Sequence, residues 1–95
     1  MFSKIPIDMQ AVAGRNVDNE ILRAAIMAEL DAISAYEQMA SLAEDRDVKR
    51  ILLDVAQEEK TQVGEFQTML LRRDKGQEQE LRAGEAEVKE VLGNA

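Results

Sequence analysis

Two stretches of the sequence, residues 22–43 and 48–69, repeat nonpolar side chains at alternating spacings of four and three residues. An α-helix turns once in about 3.6 residues, so this spacing places one stripe of side chains along one face of a helix. The first stripe consists of Leu22, Ile26, Glu29, Ile33, Tyr36, Ala40 and Ala43. The second stripe consists of Val48, Leu52, Val55, Glu59, Gln62, Phe66 and Met69. The sequence therefore predicts two long helices.

The composition supports an all-α fold. Hydrophobic residues make up 45% of the 95 residues but aromatic residues only 3%, so the nonpolar side chains are mainly aliphatic. Ala, Leu, Met, Glu, Gln, Lys and Arg all favour helices. The single proline, Pro6, precedes both stripes, so the region from residue 15 onward lacks the strongest helix breaker.

The N-terminal part of the chain differs from the rest. Residues 1–18 carry no sustained periodicity and contain Pro6, so we expect a mostly irregular N-terminal arm. The helical region is then expected to occupy residues 19–95. Its first helix should end at about Ala43. Two residues can cap the start of that helix, Asn16 or Asp18.

A short polar connection, residues 44–47, separates the two long helices and predicts an antiparallel hairpin. Its aspartates, Asp45 and Asp47, are both candidates to cap the second helix. That helix is expected to end at Arg73, because arginines are favourable at a helix C-terminus. A shorter third helix is expected from about Gln77 to Leu92.

Three polar side chains, Glu29, Glu59 and Gln62, interrupt the nonpolar stripes. Burying a carboxylate without a partner is costly in free energy. With a chain reversal near residue 45, Glu29 lies opposite the segment that contains Glu59 and Gln62, within about one turn at a rise of about 1.5 Å per residue. Glu59 and Gln62 are three residues apart and share one helix face. We therefore expect their oxygens to meet at one buried position, where a divalent cation would compensate the charge.

The absent residue types narrow the possible chemistry. Without cysteine, disulfides and thiolate sites are excluded, and without histidine a metal must be held by oxygen donors. The net charge of -7 argues against a nucleic-acid partner. No nonpolar run approaches the roughly 20 residues of a membrane span, and the N-terminus lacks the features of a secretory signal. These observations predict no membrane partner and a cytoplasmic location.

A hairpin of two helices buries only one side of each helix, which leaves too small a core for a stable domain. Two hairpins around a twofold axis would form a four-helix bundle and bring two polar clusters together. Di-metal carboxylate bundles use this arrangement: two helices each supply a glutamate, and each of the other two supplies a Glu-x-x-ligand pair. The sequence therefore predicts an obligate homo-oligomer whose metal site is shared by two subunits.

The segments ILRAAIMAELDAISAYEQMA and ILLDVAQEEKTQVGEF resemble the encapsulated ferritin family, which includes ferritin-like domains fused to the shell protein of some archaeal encapsulins. The resemblance covers residues 20–73 and extends more weakly through 86–93. It implies a ferritin-like four-helix bundle formed by two subunits, a ring of dimers, and two irons (Fe) at the dimer interface. It also implies ferroxidase activity, with the ferric product stored in an encapsulin shell, and hence a location inside an encapsulin nanocompartment.

The family pattern can be followed residue by residue. The bridging glutamate of the family corresponds to Glu29, and its Glu-x-x-His corresponds to Glu59 and Gln62, so that glutamine replaces the usual histidine. The tyrosine beside the site corresponds to Tyr36. An acidic residue on the path by which the metal enters corresponds to Asp31. The resemblance thus implies a di-iron site in which one ligand is an amide oxygen, a weaker donor than imidazole.

Two other functions fit the same residues. One is a non-catalytic metal-binding or structural helical oligomer, which the missing histidine favours. The other is a helical interaction module without metal, in which Glu29 and Glu59 are protonated or paired with Lys or Arg. For Gln62, a hydrogen bond that fixes the register of the helices is the alternative to metal coordination.

Overall fold

The computed structural model describes residue 8 and residues 16–93, and this part of the chain contains helices and no strand. The helices are α1 (Val17–Leu42), α2 (Arg46–Arg73) and α3 (Lys75–Leu92). The predicted all-α fold, with two long helices and a shorter C-terminal one, is confirmed. Apart from Asp8 and residues 16–18, the predicted N-terminal arm lies outside the described residues. None of the described helices is long and nonpolar enough to cross a membrane.

Capping side chains explain where the long helices begin. The Asn16 side-chain oxygen accepts a hydrogen bond from the backbone N–H of Asn19 at 3.4 Å, so α1 starts within the segment predicted as the arm. The Asp45 carboxylate accepts hydrogen bonds from the backbone N–H groups of Asp47 and Val48 at 2.8 and 3.0 Å. Both caps satisfy N–H groups that have no partner within the helix. Of the predicted candidates, the structure selects Asn16 and Asp45.

Helices α1 and α2 form the predicted hairpin, and small side chains line their closest contact. Four nonpolar residues of the described chain are 5% exposed or less: Ala32, Ala40, Ala56 and Leu70. Three of these are alanines, which let the helix backbones approach closely. The larger residues of the two stripes, such as Leu22, Leu52 and Phe66, are only half-buried. The hairpin therefore covers one edge of each stripe and leaves the other edge accessible.

A hydrogen-bonded contact joins the helices at the end of the hairpin opposite the turn. Arg73 donates from Nε to the side-chain oxygen of Asn19 at 2.9 Å, and from its terminal nitrogen to that of Asn16 at 3.1 Å. Asn19 is only 8% exposed, so its amide oxygen needs a partner inside the protein. Arg73 thus connects the last turn of α2 to the first turn of α1.

Asp74 controls where α2 ends and α3 begins. Its backbone N–H donates to the carbonyl of Leu70 at 2.8 Å, and its carboxylate accepts from the N–H of Gln77 at 3.0 Å. The same carboxylate pairs with Arg23 of α1 at 2.9 Å. Because Asp74 ends α2 and also caps α3, α3 begins at Lys75 and not at the predicted Gln77. Helix α3 approaches α2 but not α1, and its nonpolar residues Leu81, Val88, Val91 and Leu92 are exposed.

Candidate metal centre

Glu29 of α1 and Gln62 of α2 meet in the middle of the hairpin. With its nitrogen turned toward Glu29, the Gln62 amide lies 3.1 Å from each carboxylate oxygen, which is hydrogen-bonding distance. Both side chains are half-buried. The structure therefore brings together two of the three residues expected to hold a metal.

Glu59, the third expected ligand, is also half-buried and lies one turn before Gln62 on α2. Within residues 16–93, neither Glu29 nor Glu59 forms an ion pair with a basic side chain. The neighbouring Lys60 instead pairs with Glu37 at 2.9 Å. The structure thus offers no support for neutralisation of Glu29 and Glu59 by Lys or Arg.

One chain supplies too few donors for a complete site. Among the described residues, no group of three or more Asp, Glu, His or Cys side chains could hold a metal ion. Glu29 and Glu59 offer carboxylates and Gln62 offers an amide oxygen, whereas hard cations in proteins take about six or more oxygen ligands. A metal at this position would need ligands from elsewhere.

The contact between Glu29 and Gln62 lies beside an exposed nonpolar surface. On α2, the seven-residue spacing of Val48, Val55, Gln62 and Met69 places these residues along one side of the helix. On α1, Ile21 and Met39 are five helical turns apart and lie opposite Met69 and Ile51 in the antiparallel register. We call this surface the open face; it consists of Ile21, Met39, Val48, Ile51, Val55, Gln62 and Met69.

Several large nonpolar side chains of the open face are exposed. Ile51 is 64% exposed, Val48 51%, and Met69 and Ile21 each 47%. The other side of the hairpin is polar, since its groove is lined by Glu37, Leu53, Gln57, Lys60 and Thr61. A monomer rarely leaves a continuous nonpolar patch of this kind uncovered, so the open face has the character of an interaction surface.

Tyr36 and Asp31 occupy different positions relative to Glu29. Tyr36 is half-buried and follows Glu29 by seven residues, or about two turns, which places it along the same face but beyond direct contact. Asp31 is half-buried two residues after Glu29, a rotation of about 200° around the helix axis. Asp31 therefore lies on the far side of α1 from the half-site, by which we mean Glu29, Glu59 and Gln62 of one chain. The roles that the resemblance implies for both residues stay predictions.

The contact between Asn19 and Arg73 was not among the features predicted from the sequence. The spacing of the two stripes nevertheless indicates it, because Asn19 precedes Leu22 by three residues and Arg73 follows Met69 by four. Both residues thus continue the stripes, and their positions match in the antiparallel register. Extending each stripe by one step would have paired a polar residue with a basic one.

Comparison with known proteins identifies the family of the chain. No family model matches it. A ferritin-like-encapsulin shell fusion protein of Pyrococcus furiosus is 61% identical over 74 residues, which cover 78% of this chain and 21% of the relative. The chain thus spans about a fifth of that relative. The crystal structure of the encapsulated ferritin domain from Pyrococcus furiosus is 49% identical, with a TM-score of 0.77, and the match covers 98% of this chain and 89% of that one. This protein belongs to the encapsulated ferritin family.

Proposed function

We propose that two copies of this chain form a dimer with a di-iron centre at their interface, which oxidises Fe(II) to Fe(III) for storage in an encapsulin shell. The observation that carries the proposal is the contact between Glu29 and Gln62 beside the open face. A second copy on the open face would bring a second set of Glu29, Glu59 and Gln62 to the same position. Each chain would contribute half of the site.

The exposed nonpolar residues support the dimer. Complete burial of a Val, Ile or Met side chain contributes about 1.5–3 kcal/mol. Ile51, Val48 and Met69 are each about half exposed or more in the single chain, so all three have nonpolar surface left to bury. Pairing two hairpins through the open face would also cover the accessible edges of both stripes. The result is a four-helix bundle.

The donor set fits iron. Two copies would supply four carboxylates and two amide oxygens, and oxygen donors suit hard and borderline cations such as iron and manganese. Di-iron carboxylate bundles take glutamates from two helices and Glu-x-x-ligand pairs from the other two. In this dimer the two metals would share Glu29 of both chains, and Glu59 and Gln62 of one chain would together hold each metal.

The residues of the chain would bind and orient the ions, and iron would supply the redox chemistry. Each Fe(II) gives up one electron, which dioxygen or peroxide accepts. Because the charge on each iron rises from two to three, the negative charge of Glu29 and Glu59 favours the oxidised product. In the dimer, the nonpolar side chains of the open face would exclude bulk water and strengthen this effect. Tyr36 would border the site. The role in metal entry that the resemblance implies for Asp31 would have to be exerted from the far side of α1.

The encapsulin shell is proposed from the relative in Pyrococcus furiosus, whose name joins a ferritin-like protein to an encapsulin shell. By the same argument we assign this chain to an encapsulin nanocompartment in the cytoplasm, where a ring of dimers would deliver ferric iron. The net charge of -7 is compatible with handling cations.

A second candidate function is metal binding or a structural role without catalysis. The hydrogen bond from the Gln62 amide to Glu29 favours it, because the same contact could serve only to fix the register of the two helices. An amide oxygen is also a weaker metal ligand than the imidazole usual in the family.

Iron titration separates these functions. Metal-free protein receives Fe(II) without oxygen, in steps from below to above two Fe(II) per dimer. Air is then admitted at each step, and ferric absorbance is recorded. We expect oxidation that saturates at two irons per dimer and is at least tenfold slower in Glu29→Ala. Glu58→Ala is the control, because Glu58 is an exposed glutamate of α2 that lies outside the stripes; this variant should oxidise iron at the unmodified rate.

Two results would count against the ferroxidase. Protein that binds two irons per dimer but oxidises them no faster than buffer would support the non-catalytic candidate. Protein that binds no metal under any of these conditions would leave both metal-dependent functions without support.

A further inference from the structure

We propose, on the basis of the function above, that Gln62 makes the centre selective for oxygen-seeking cations by presenting its amide nitrogen to Glu29 without metal and its amide oxygen when a cation binds. The affinity of the site for Mn(II) or Fe(II) relative to Zn(II) would then depend on Gln62. This goes beyond the presence of a metal site, because it assigns the choice of metal to one side chain.

The composition of the chain limits the site to oxygen ligands. The 95 residues contain no histidine and no cysteine, so a second copy of the chain can add only oxygen donors. Zn(II), Cu(II) and Ni(II) gain affinity from imidazole or thiolate ligands, whereas Mn(II), Mg(II) and Ca(II) suit carboxylate and carbonyl oxygens. With Gln62 in place of imidazole, Zn(II) loses the ligand that most favours it over Mn(II).

The position of the Gln62 amide lets it present either its nitrogen or its oxygen to Glu29. The end of the Gln62 amide that faces Glu29 lies 3.1 Å from both carboxylate oxygens, and without metal the NH₂ group is the end that can donate to them. A cation bound to that carboxylate would repel the NH₂ group and attract the carbonyl oxygen. Rotation of the amide by half a turn exchanges the two atoms, because the last torsion of glutamine is broad and roughly twofold. The rest of the side chain can therefore stay in place in both states.

The surroundings of Gln62 supply two carboxylates. Glu59 lies one turn away and Glu29 lies across the helix interface, so the reversed amide oxygen would join two carboxylates. No basic side chain of the described residues forms an ion pair with either glutamate, which leaves the negative charge available to a cation. The half-site thus combines two charged oxygen donors with one neutral oxygen donor.

The test compares metal preference in the full chain and two variants. Mn(II) binding is followed by the loss of the free Mn(II) electron paramagnetic resonance signal, and Zn(II) affinity by its competition with bound Mn(II). We expect Gln62→His to raise the affinity for Zn(II) relative to Mn(II) at least tenfold. The control is Gln67→His, which adds the same imidazole at an exposed position of α2 and should change this ratio less than twofold.

A third variant guards against a general disturbance by histidine. Gln62→Met keeps the length of the side chain and removes the amide, and we expect it to weaken Mn(II) binding at least tenfold. Unchanged Mn(II) binding in Gln62→Met, or an unchanged ratio in Gln62→His, would overturn the role of Gln62 while leaving the metal centre intact. Absence of Mn(II), Zn(II) and Fe(II) binding in all forms would instead remove the proposed function and this inference together.

Discussion

The Gln62 amide of α2 lies 3.1 Å from both carboxylate oxygens of Glu29 on α1, a distance at which its NH₂ group can donate to both. The carboxylate therefore has a neutral partner in a half-buried position. Such a partner meets the hydrogen-bonding need of Glu29 but leaves its charge uncompensated, which is unfavourable away from water. A cation at this position would relieve that cost, so stability and metal binding are expected to be linked through Glu29.

The first prediction concerns Glu29→Leu. Removal of a half-buried charge from a nonpolar stripe should stabilise the metal-free protein by about 1 kcal/mol, as is common when a functional polar group is replaced. The same change should abolish the rise in melting temperature on addition of Mn(II). Thermal unfolding with and without Mn(II) measures both effects.

Glu58→Leu serves as the control for this prediction, because Glu58 is exposed and lies outside the stripes. It should leave the response to Mn(II) unchanged. A marked loss of stability in metal-free Glu29→Leu would mean that the hydrogen bond to Gln62 holds the hairpin together, contrary to our view of the site.

The second prediction concerns the open face. Ile51→Glu would place a charge in the proposed interface, where it would be buried without a partner in the dimer. We expect the dimer dissociation constant to rise at least a hundredfold, as measured by analytical ultracentrifugation. Leu53→Glu is a stringent control, since Leu53 is also exposed, at 48% against 64% for Ile51, but lines the polar groove on the other side. Equal weakening by both substitutions would exclude the open face as the specific interface.

The third prediction concerns the contact between Arg73 and Asn19. Arg73→Met should lower the free energy of unfolding by about 1–3 kcal/mol, because it leaves the buried amide oxygen of Asn19 without its donor. The neighbouring substitution Arg72→Met, at an exposed position, should cost less than about 0.5 kcal/mol. Denaturant unfolding of the two variants tests the difference. Equal effects would indicate that only the positive charge at the end of α2 matters.

The fourth prediction concerns Asp74, which caps α3 and pairs with Arg23. Asp74→Ala removes both interactions and should destabilise the start of α3 by about 1 kcal/mol. Asp74→Asn keeps a capping oxygen and should retain most of the protection of α3. Hydrogen exchange of the amides in residues 75–92 distinguishes the two variants. If exchange were equally fast in both variants, the ion pair with Arg23, and not the cap, would be the source of the stability.

Local features of the sequence were sufficient for most of the fold. Asn16 and Asp45 were recognisable as helix caps because capping depends on side chains within three residues of the helix start. The spacing of the stripes predicted which residues of α1 and α2 lie at the same level, and Glu29 and Gln62 meet accordingly. Family membership also followed from the sequence, since the segments around Glu29 and Gln62 carry the resemblance.

Helical periodicity alone could not decide how each stripe is shared between partners. A stripe is wide enough to contact more than one neighbouring helix, and only the tertiary structure showed that α1 and α2 cover one edge and expose the other. The contact between Arg73 and Asn19 and the pairing of Arg23 with Asp74 join residues more than 50 positions apart. The sequence by itself determined the helices and their register, because both depend on spacing along the chain. Only the tertiary structure decided which surface stays open and where α3 begins, because these depend on contacts between distant residues.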